Sequence, residues 1–215
     1  MLSIKHKSRI NGHKTSQNCK LIQINLHNGK AAKTLLWWKL GTGEVDIAFI
    51  QDPWIYGDWV RVLHHTRWAL FSAGQRIAPA TCIFVTNMAH AFPVLRLWSR
   101  DVTMVWLNYT RGRSKRKLIV TWAYLLYDSD EPFPSGGLRE VVVYCNRNKM
   151  QLITGYDANA HHIIWGSTDI NPWGECLTEY VVRTDLNIVN QGNDPTFVIS
   201  KRKEVRDLTL TTDKK

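Results

Sequence analysis

Asp157 and Asn159 stand two residues apart, directly after the apolar run Met150–Gly155. An acid and an amide at the carboxyl end of a buried strand occupy the place where open α/β sheets form their sites. The carboxylate can bind a hard cation or orient a water, and the amide can hold a phosphate oxygen by hydrogen bonds. Asp-x-Asn is also a common Asx-turn, and for an isolated example that is the more frequent role. Two other positions follow the same logic. Asn25 ends the apolar segment Leu21–Leu26, and Asp52 follows Val45–Ile50. If those two strands are neighbours, both side chains open on one sheet edge. A carboxylate there suits Mg²⁺, which takes few protein oxygens and keeps several waters. Asp52-Pro53 is equally a natural turn start. Tyr124 closes the segment Lys117–Leu125; a phenol there can donate to a phosphoryl oxygen or serve as an amphipathic core residue. His161 and His162 are adjacent and so cannot easily share one ion, which favours structural or substrate-side roles.

These positions need elements to hold them. Alternation of apolar residues predicts a strand over 21–26. A helix over 30–40 follows, with Ala31, Ala32, Leu35 and Leu36 as its apolar stripe. A buried strand over 45–50 completes a strand–helix–strand unit. Further strands are predicted over 80–86, 102–109 and 117–125 from β-branched and aromatic runs, with the basic cluster 111–117 capping a hairpin between the last two. A helix is predicted over 138–147, a strand over 150–155, and a helix from Pro172 to Thr184. Short strands close the chain over 186–190, 196–199 and 205–210. Residues 1–20 read as a basic disordered arm and 21–215 as one α/β domain.

The formal net charge of +10 suits a polyanionic partner. The excess is clustered. Residues 1–20 carry Lys5, Lys7, Arg9, Lys14 and Lys20 without an acid, 111–117 carry Arg111, Arg113, Lys115, Arg116 and Lys117, and Lys201-Arg202-Lys203 is a third run. One such run is ordinarily a solvated loop; three around an acidic motif set point to nucleic acid. The four cysteines, Cys19, Cys82, Cys145 and Cys176, lack CxxC spacing and read as free buried thiols of a reducing compartment. The N-terminus lacks a secretory h-region, and no apolar stretch approaches the ~18 residues of a membrane span.

The stretch from Asp157-Ala158-Asn159-Ala160-His161-His162 through Trp165-Gly166-Ser167 to Asn171 resembles the signature of insect non-LTR retrotransposon endonucleases. Ile22–Leu26, Ile50-Gln51-Asp52-Pro53-Trp54, Tyr124 with 127–132, Gly174–Leu177, Pro195–Phe197 and Asp207–Leu210 are similar to the motifs that accompany it, in the same order. The resemblance spans about Leu21 to Thr211. It implies a DNase I-like, four-layer α/β sandwich of the endonuclease/exonuclease/phosphatase superfamily. It implies hydrolysis of a phosphodiester in double-stranded DNA, leaving a 3′-hydroxyl that primes reverse transcription, with Mg²⁺ (or Mn²⁺) as cofactor and a nuclear place of action. By motif position, Asp52 ligates the cation, Asn25 orients metal site and phosphate, and Tyr124 contacts the scissile phosphate. Asp157 orients or deprotonates the attacking water, Asn159 holds the phosphate oxygen or the catalytic groups, and Asp207 supports a later histidine. Arg111, Arg113, Lys115, Arg116 and Lys117 would grip the duplex.

Several positions depart from the family pattern. Asp52 replaces a glutamate, Tyr156 a small residue, Trp173 an arginine and Arg206 an apolar residue. Burying Arg206 is costly unless it is paired. No Ser-Asp-His tripeptide occurs, so the resemblance implies a domain lacking the last strand and motif, with weak or absent nicking. The alternatives are a non-catalytic DNA-binding remnant and a small-substrate phosphoesterase. Oligomeric state is not legible.

Overall fold

The computed structural model describes residues 4–9, 20–27, 29–56, 59–60, 68–73, 78–86, 90–111, 114–126, 133–190, 196–199 and 202–212. The first sheet contains β1 (Ile4–Arg9), β2 (Lys20–Asn25), β3 (Ile47–Gln51), β6 (Trp68–Ser72) and β7 (Thr81–Thr86), in the order β1-β2-β3-β7-β6; a small hairpin, β4 (Ile55–Tyr56) and β5 (Trp59–Val60), branches from it. The second sheet contains β8 (His90–Pro93), β9 (Val102–Arg111), β10 (Ser114–Tyr124), β11 (Gln151–Asp157), β12 (Asn187–Ile188) and β15 (Asp207–Thr211), in the order β12-β15-β11-β10-β9-β8. A separate hairpin joins β13 (Phe197–Ile199) to β14 (Arg202–Glu204). The helices are α1 (Lys30–Gly41), α2 (Gly136–Arg147) and α3 (Pro172–Thr184).

Three apolar clusters define four layers. Leu21, Ile47, Phe49, Ile83 and Val85 of the first sheet meet Val105, Leu107, Leu118, Val120 and Trp122 of the second. Phe49 and Trp122 stack across this interface at 5.5 Å and 5°. The opposite face of the first sheet, including Ile24, Ala48 and Phe84, is covered by Ala32, Leu36 and Leu40 of α1. The outer face of the second is covered by Leu138, Val141, Val142 and Cys145 of α2 and by Leu177 and Val181 of α3. Each fully buried Leu, Ile or Phe contributes roughly 1.5–3 kcal/mol. Two polar contacts pin one sheet against the other: Gln23 Nε2 donates to Thr209 Oγ1 (2.7 Å) and Leu208 O (3.1 Å), and the Thr81 and Thr103 hydroxyls meet at 3.0 Å.

The helices begin where their sequences allow. The Ser135 side chain accepts from Leu138 N at the start of α2. Asn171 does the same for Gly174 N at α3, with Pro172 in the first turn, where its missing N–H costs nothing. Buried residues at 138, 141, 142 and 145 follow the helical repeat of α2.

The structure corrects four expectations. Within the first 20 residues, Ile4–Arg9 forms β1, antiparallel to β2, so the arm is not wholly irregular; β1 satisfies the outer backbone edge that β2 would otherwise expose. On α1, Ala31 is exposed and Leu35 half-buried, while Leu40 completes the buried stripe. Cys82 and Cys145 are buried free thiols, but Cys176 is exposed on α3; Cys19 lies outside the described residues. The last strand starts at Asp207 rather than Val205, because the Thr196 hydroxyl accepts from both Arg206 N (2.7 Å) and Asp207 N (3.0 Å). Among the described residues no helix is long and apolar enough to cross a membrane.

Candidate active site

Strand register brings the chemistry to one end of the sandwich. β2 and β3 are parallel, with Asn25 opposite Gln51, so Asn25, Gln51 and Asp52 leave the first sheet together. β10 and β11 are also parallel, with Tyr124 opposite Asp157, and antiparallel β15 sets Asp207 opposite Asp157. The two sheet ends enclose a cavity of about 230 Å³ lined by Asn25, His27, Gln51, Asp52, Tyr124, Asp157, Asn159, Thr196, Arg206 and Asp207. The five residues expected from the sequence to act on phosphate, water or metal, and Asp207, expected to support a histidine, therefore share one cleft.

The polar atoms interlock. Asn25 Nδ2 donates to Asp52 Oδ2 (3.2 Å), while Asn25 Oδ1 accepts from His27 N (2.8 Å). Asp157 Oδ1 accepts from Asn159 N (3.3 Å), and Asn159 Nδ2 donates to Leu125 O (3.2 Å). Arg206 Nη1 donates to Asn159 Oδ1 (3.1 Å). Asp52 and Asn159 have φ of 44° and 50°, left-handed values that Asp and Asn tolerate better than most residues. Both turn the chain sharply at the end of a strand.

Burial dominates the electrostatics. It pushes the Asp157 carboxyl above its ordinary value, opposed by hydrogen bonds from Asn159 and Gln51 and by the Arg206 charge, with the nearby Asp52 charge raising it further. A carboxylate of raised pKa is the better proton acceptor. Burial also pushes the Tyr124 phenol up to about 12, helped by the charges of Asp157, Asp52 and Asp101. At neutral pH Tyr124 is a donor.

The donor set fits a divalent cation. Three carboxylates, Asp52, Asp157 and Asp207, line the cleft with one guanidinium, that of Arg206. The buried Gln51 Oε1 beside them has no hydrogen-bond partner among the described residues. Surplus negative charge and free oxygen lone pairs are what Mg²⁺ or Mn²⁺ takes.

The basic cluster does not join them. The hairpin over 111–117 is present as expected, with Arg111 opposite Ser114. Ser114, the first residue of β10, lies at the other end of that strand from Tyr124. Ten residue steps along the strand separate Ser114 from Tyr124, roughly 33 Å, and seven steps separate Lys117 from it, roughly 23 Å. Lys117 Nζ sits 4.5 Å from the Trp106 ring centre. Arg113 lies outside the described residues, and Arg111, Lys115 and Arg116 are described in their backbone alone. The third basic run is closer to the chemistry: Arg202 and Lys203 belong to the β13–β14 hairpin, which is flanked by the cleft residues Thr196 and Arg206.

Four cleft residues were not anticipated as site residues. Gln51 could have been found from its place beside Asp52 at a strand end. His27 and Thr196 carry no local signal. Arg206 was visible as a cation needing a partner, but not where that partner was. The Tyr156 side chain turns away from the cleft, into the cluster under α2, where its hydroxyl accepts from Ser135 N (3.2 Å).

Comparison with known families and structures comes to the same architecture. Residues 137–215 match the family model described as endonuclease-reverse transcriptase. The chain is similar to the solved endonuclease domain of TRAS1, a telomere-specific non-LTR retrotransposon, with a TM-score of 0.70 and 24% identity over 90% of this chain and 84% of that one. It is similar to an endonuclease/exonuclease/phosphatase family protein from Leptotrichia buccalis, with a TM-score of 0.59 and 11% identity over 91% and 88% of the two chains. It is also similar to D. rerio TDP2 complexed with single strand DNA product, with a TM-score of 0.52 and 12% identity over 89% and 82%. Comparison with curated proteins finds no match.

Proposed function

From a chain that has the endonuclease/exonuclease/phosphatase fold and matches the endonuclease-reverse transcriptase family over residues 137–215, we propose a retrotransposon-type DNA endonuclease. It hydrolyses a phosphodiester of double-stranded DNA and leaves a 3′-hydroxyl able to prime reverse transcription. The observation that carries this reading is the convergence of Asn25, Asp52, Tyr124, Asp157, Asn159 and Asp207 on one cleft from two sheets.

Each residue has a task set by its surroundings. Asp52, with Asn25 beside it, would hold Mg²⁺ or Mn²⁺, whose chemistry when bound is to neutralise charge on the phosphate. Asp157 orients the attacking water and takes its proton. Oxygen–phosphorus bond formation then accompanies breakage of the bond to O3′, which gains a proton from solvent. Asn159 and the neutral Tyr124 hydroxyl donate to phosphoryl oxygens, where charge develops. Arg206 supplies the cationic donor nearest to them. Asp207 joins the cleft from β15, opposite Asp157.

The test is nicking of supercoiled plasmid by the purified chain with Mg²⁺, beside Asp157→Ala and an EDTA control. Nicking by the parent alone supports the proposal. A folded protein that binds duplex DNA but leaves it uncut reduces the activity to DNA binding.

A further inference from the structure

Hydrogen bonds hold Asn159 from several directions. Its N–H donates to Asp157 Oδ1 (3.3 Å), and its Nδ2 donates to Leu125 O (3.2 Å). Its Oδ1 accepts from Arg206 Nη1 (3.1 Å), and its carbonyl accepts from Asn171 Nδ2 (3.0 Å). The first three partners belong to the strand ends around the cleft. Asn171 does not line the cleft. It stands at the start of α3, 12 residues further along the chain.

Asn171 is more than the cap of that helix. Its Oδ1 accepts from Gly174 N (2.8 Å), which is the capping bond, and also from His161 N (2.9 Å). Its own N–H donates to His161 O (3.1 Å). A cap needs only an oxygen, and Ser or Asp supplies one about as well as Asn. The amide nitrogen is what Asn adds, and here it reaches the carbonyl of Asn159. Two N–H donors on the oxygen and a carbonyl on the nitrogen leave the Asn171 amide a single orientation. The seat is tight. A Cβ on Gly174 would overlap the His161 carbonyl, so α3 packs directly on the loop 159–171.

We propose that Asn171 is a positioning residue for the cleft, acting through Asn159. Fixing the Asn159 carbonyl fixes the plane of the peptide that follows it, and with it the left-handed turn at φ 50°. A residue other than glycine persists in that region where its surroundings over-determine it. The turn sets where the Asn159 amide points and keeps Asn159 N on the Asp157 carboxylate. Asn171 thus orients, from outside the cleft, the two groups assigned to phosphate oxygen and water. That assignment rests on the nuclease reading; the positioning itself does not.

The experiment compares Asn171→Asp and Asn171→Ser with the parent. Both variants keep an oxygen to cap α3, and both lose the amide donor to Asn159 O. Amide hydrogen exchange of the full chain, followed by NMR in EDTA, reads Asn159 N–H against Gly174 N–H. Exchange at Asn159 should speed up at least ~10-fold while Gly174 stays within a few-fold of the parent. In plasmid nicking, kcat should fall about 10–100-fold with KM unchanged. Asn171→Ser introduces no charge, so it decides the matter even if Asn171→Asp does not fold. Unchanged exchange at Asn159, or equal acceleration at Asn159 and Gly174 as a cap alone would give, overturns the proposal. So does a parental kcat in both variants. A parent that leaves plasmid uncut counts against the nuclease reading, and the exchange comparison still decides the role of Asn171.

Discussion

Arg206 Nη1 lies 3.1 Å from Asn159 Oδ1, a contact between residues 47 positions apart that places the guanidinium lining the cleft against the Asn159 amide. The contact holds Asn159 in its left-handed turn, and under the proposed function the same guanidinium presents a cation to phosphate. Arg206→Ala should weaken duplex binding about tenfold and lower by ~1 the slope of log affinity against log salt. Filter binding across a salt series reads both. An unchanged slope would mean that Arg206 touches no phosphate.

Asp157→Asn should separate stability from activity. Nicking should fall by about 10²–10⁴-fold. The folded pKa of Asp157 is raised, so the folded state resists ionisation that the unfolded chain undergoes. The stabilising effect of its protonated form is thus complete below the unfolded value of 3.8 and is lost as pH rises through the folded one. In EDTA at neutral pH the variant should therefore melt at higher temperature than the parent, and the gap should close in strong acid. A lower Tm at neutral pH would refute this.

Tyr124 should be the last phenol to ionise in the neighbourhood of the cleft. Its folded pKa of about 12 exceeds the ordinary value of 10, so its contribution to stability is fully present below pH 10 and lost as pH rises toward 12. Ultraviolet titration of the parent against Tyr124→Phe isolates it. A difference spectrum with a midpoint near 10 would show that burial does not govern this group.

Two glycines should tolerate no methyl group. A Cβ on Gly155 would overlap the Trp122 ring and approach Phe49 Cδ2 to 2.6 Å, within the stacked pair joining the sheets. A Cβ on Gly174 would overlap the His161 carbonyl, which is backbone and cannot rotate away. Gly155→Ala should cost about 1–3 kcal/mol and Gly174→Ala at least as much, measured by urea denaturation. Neutral outcomes would mean that the interface and the α3 junction are looser than their geometry.

The basic hairpins should differ in effect. Neutralising Lys115, Arg116 and Lys117 together should leave nicking rates within a few-fold of the parent, since Lys117 is roughly 23 Å along β10 from Tyr124. Neutralising Arg202 and Lys203 should raise KM. The reverse ranking would mean that DNA approaches from the far end.

What was legible in the sequence depended on how local the determinant was. Asp157 and Asn159 stood out because an unbroken apolar strand delivers them to its own end. Asn25 and Asp52 followed from one strand–helix–strand unit whose strands pair in parallel. Arg206 was legible as an anomaly but not as a partner of Asn159, since that pairing depends on the β13–β14 hairpin. The cluster at 111–117 was legible as charge and as a hairpin. Its position was not, because an eleven-residue β10 carries it away from the cleft. Glu204 was not singled out in the sequence; only the fold shows it fully buried beside Thr168.

The cleft draws Asn25, Gln51 and Asp52 from one sheet and Tyr124, Asp157 and Asp207 from the other, and the Gln23–Thr209 clasp is a polar tie between those sheets. A slide of one sheet over the other would leave every ladder intact and yet pull the two half-sites out of alignment. Catalytic competence is thus a gauge of inter-sheet registry, more sensitive than any measure of secondary structure, and on warming it should fail while circular dichroism still reports an intact sandwich.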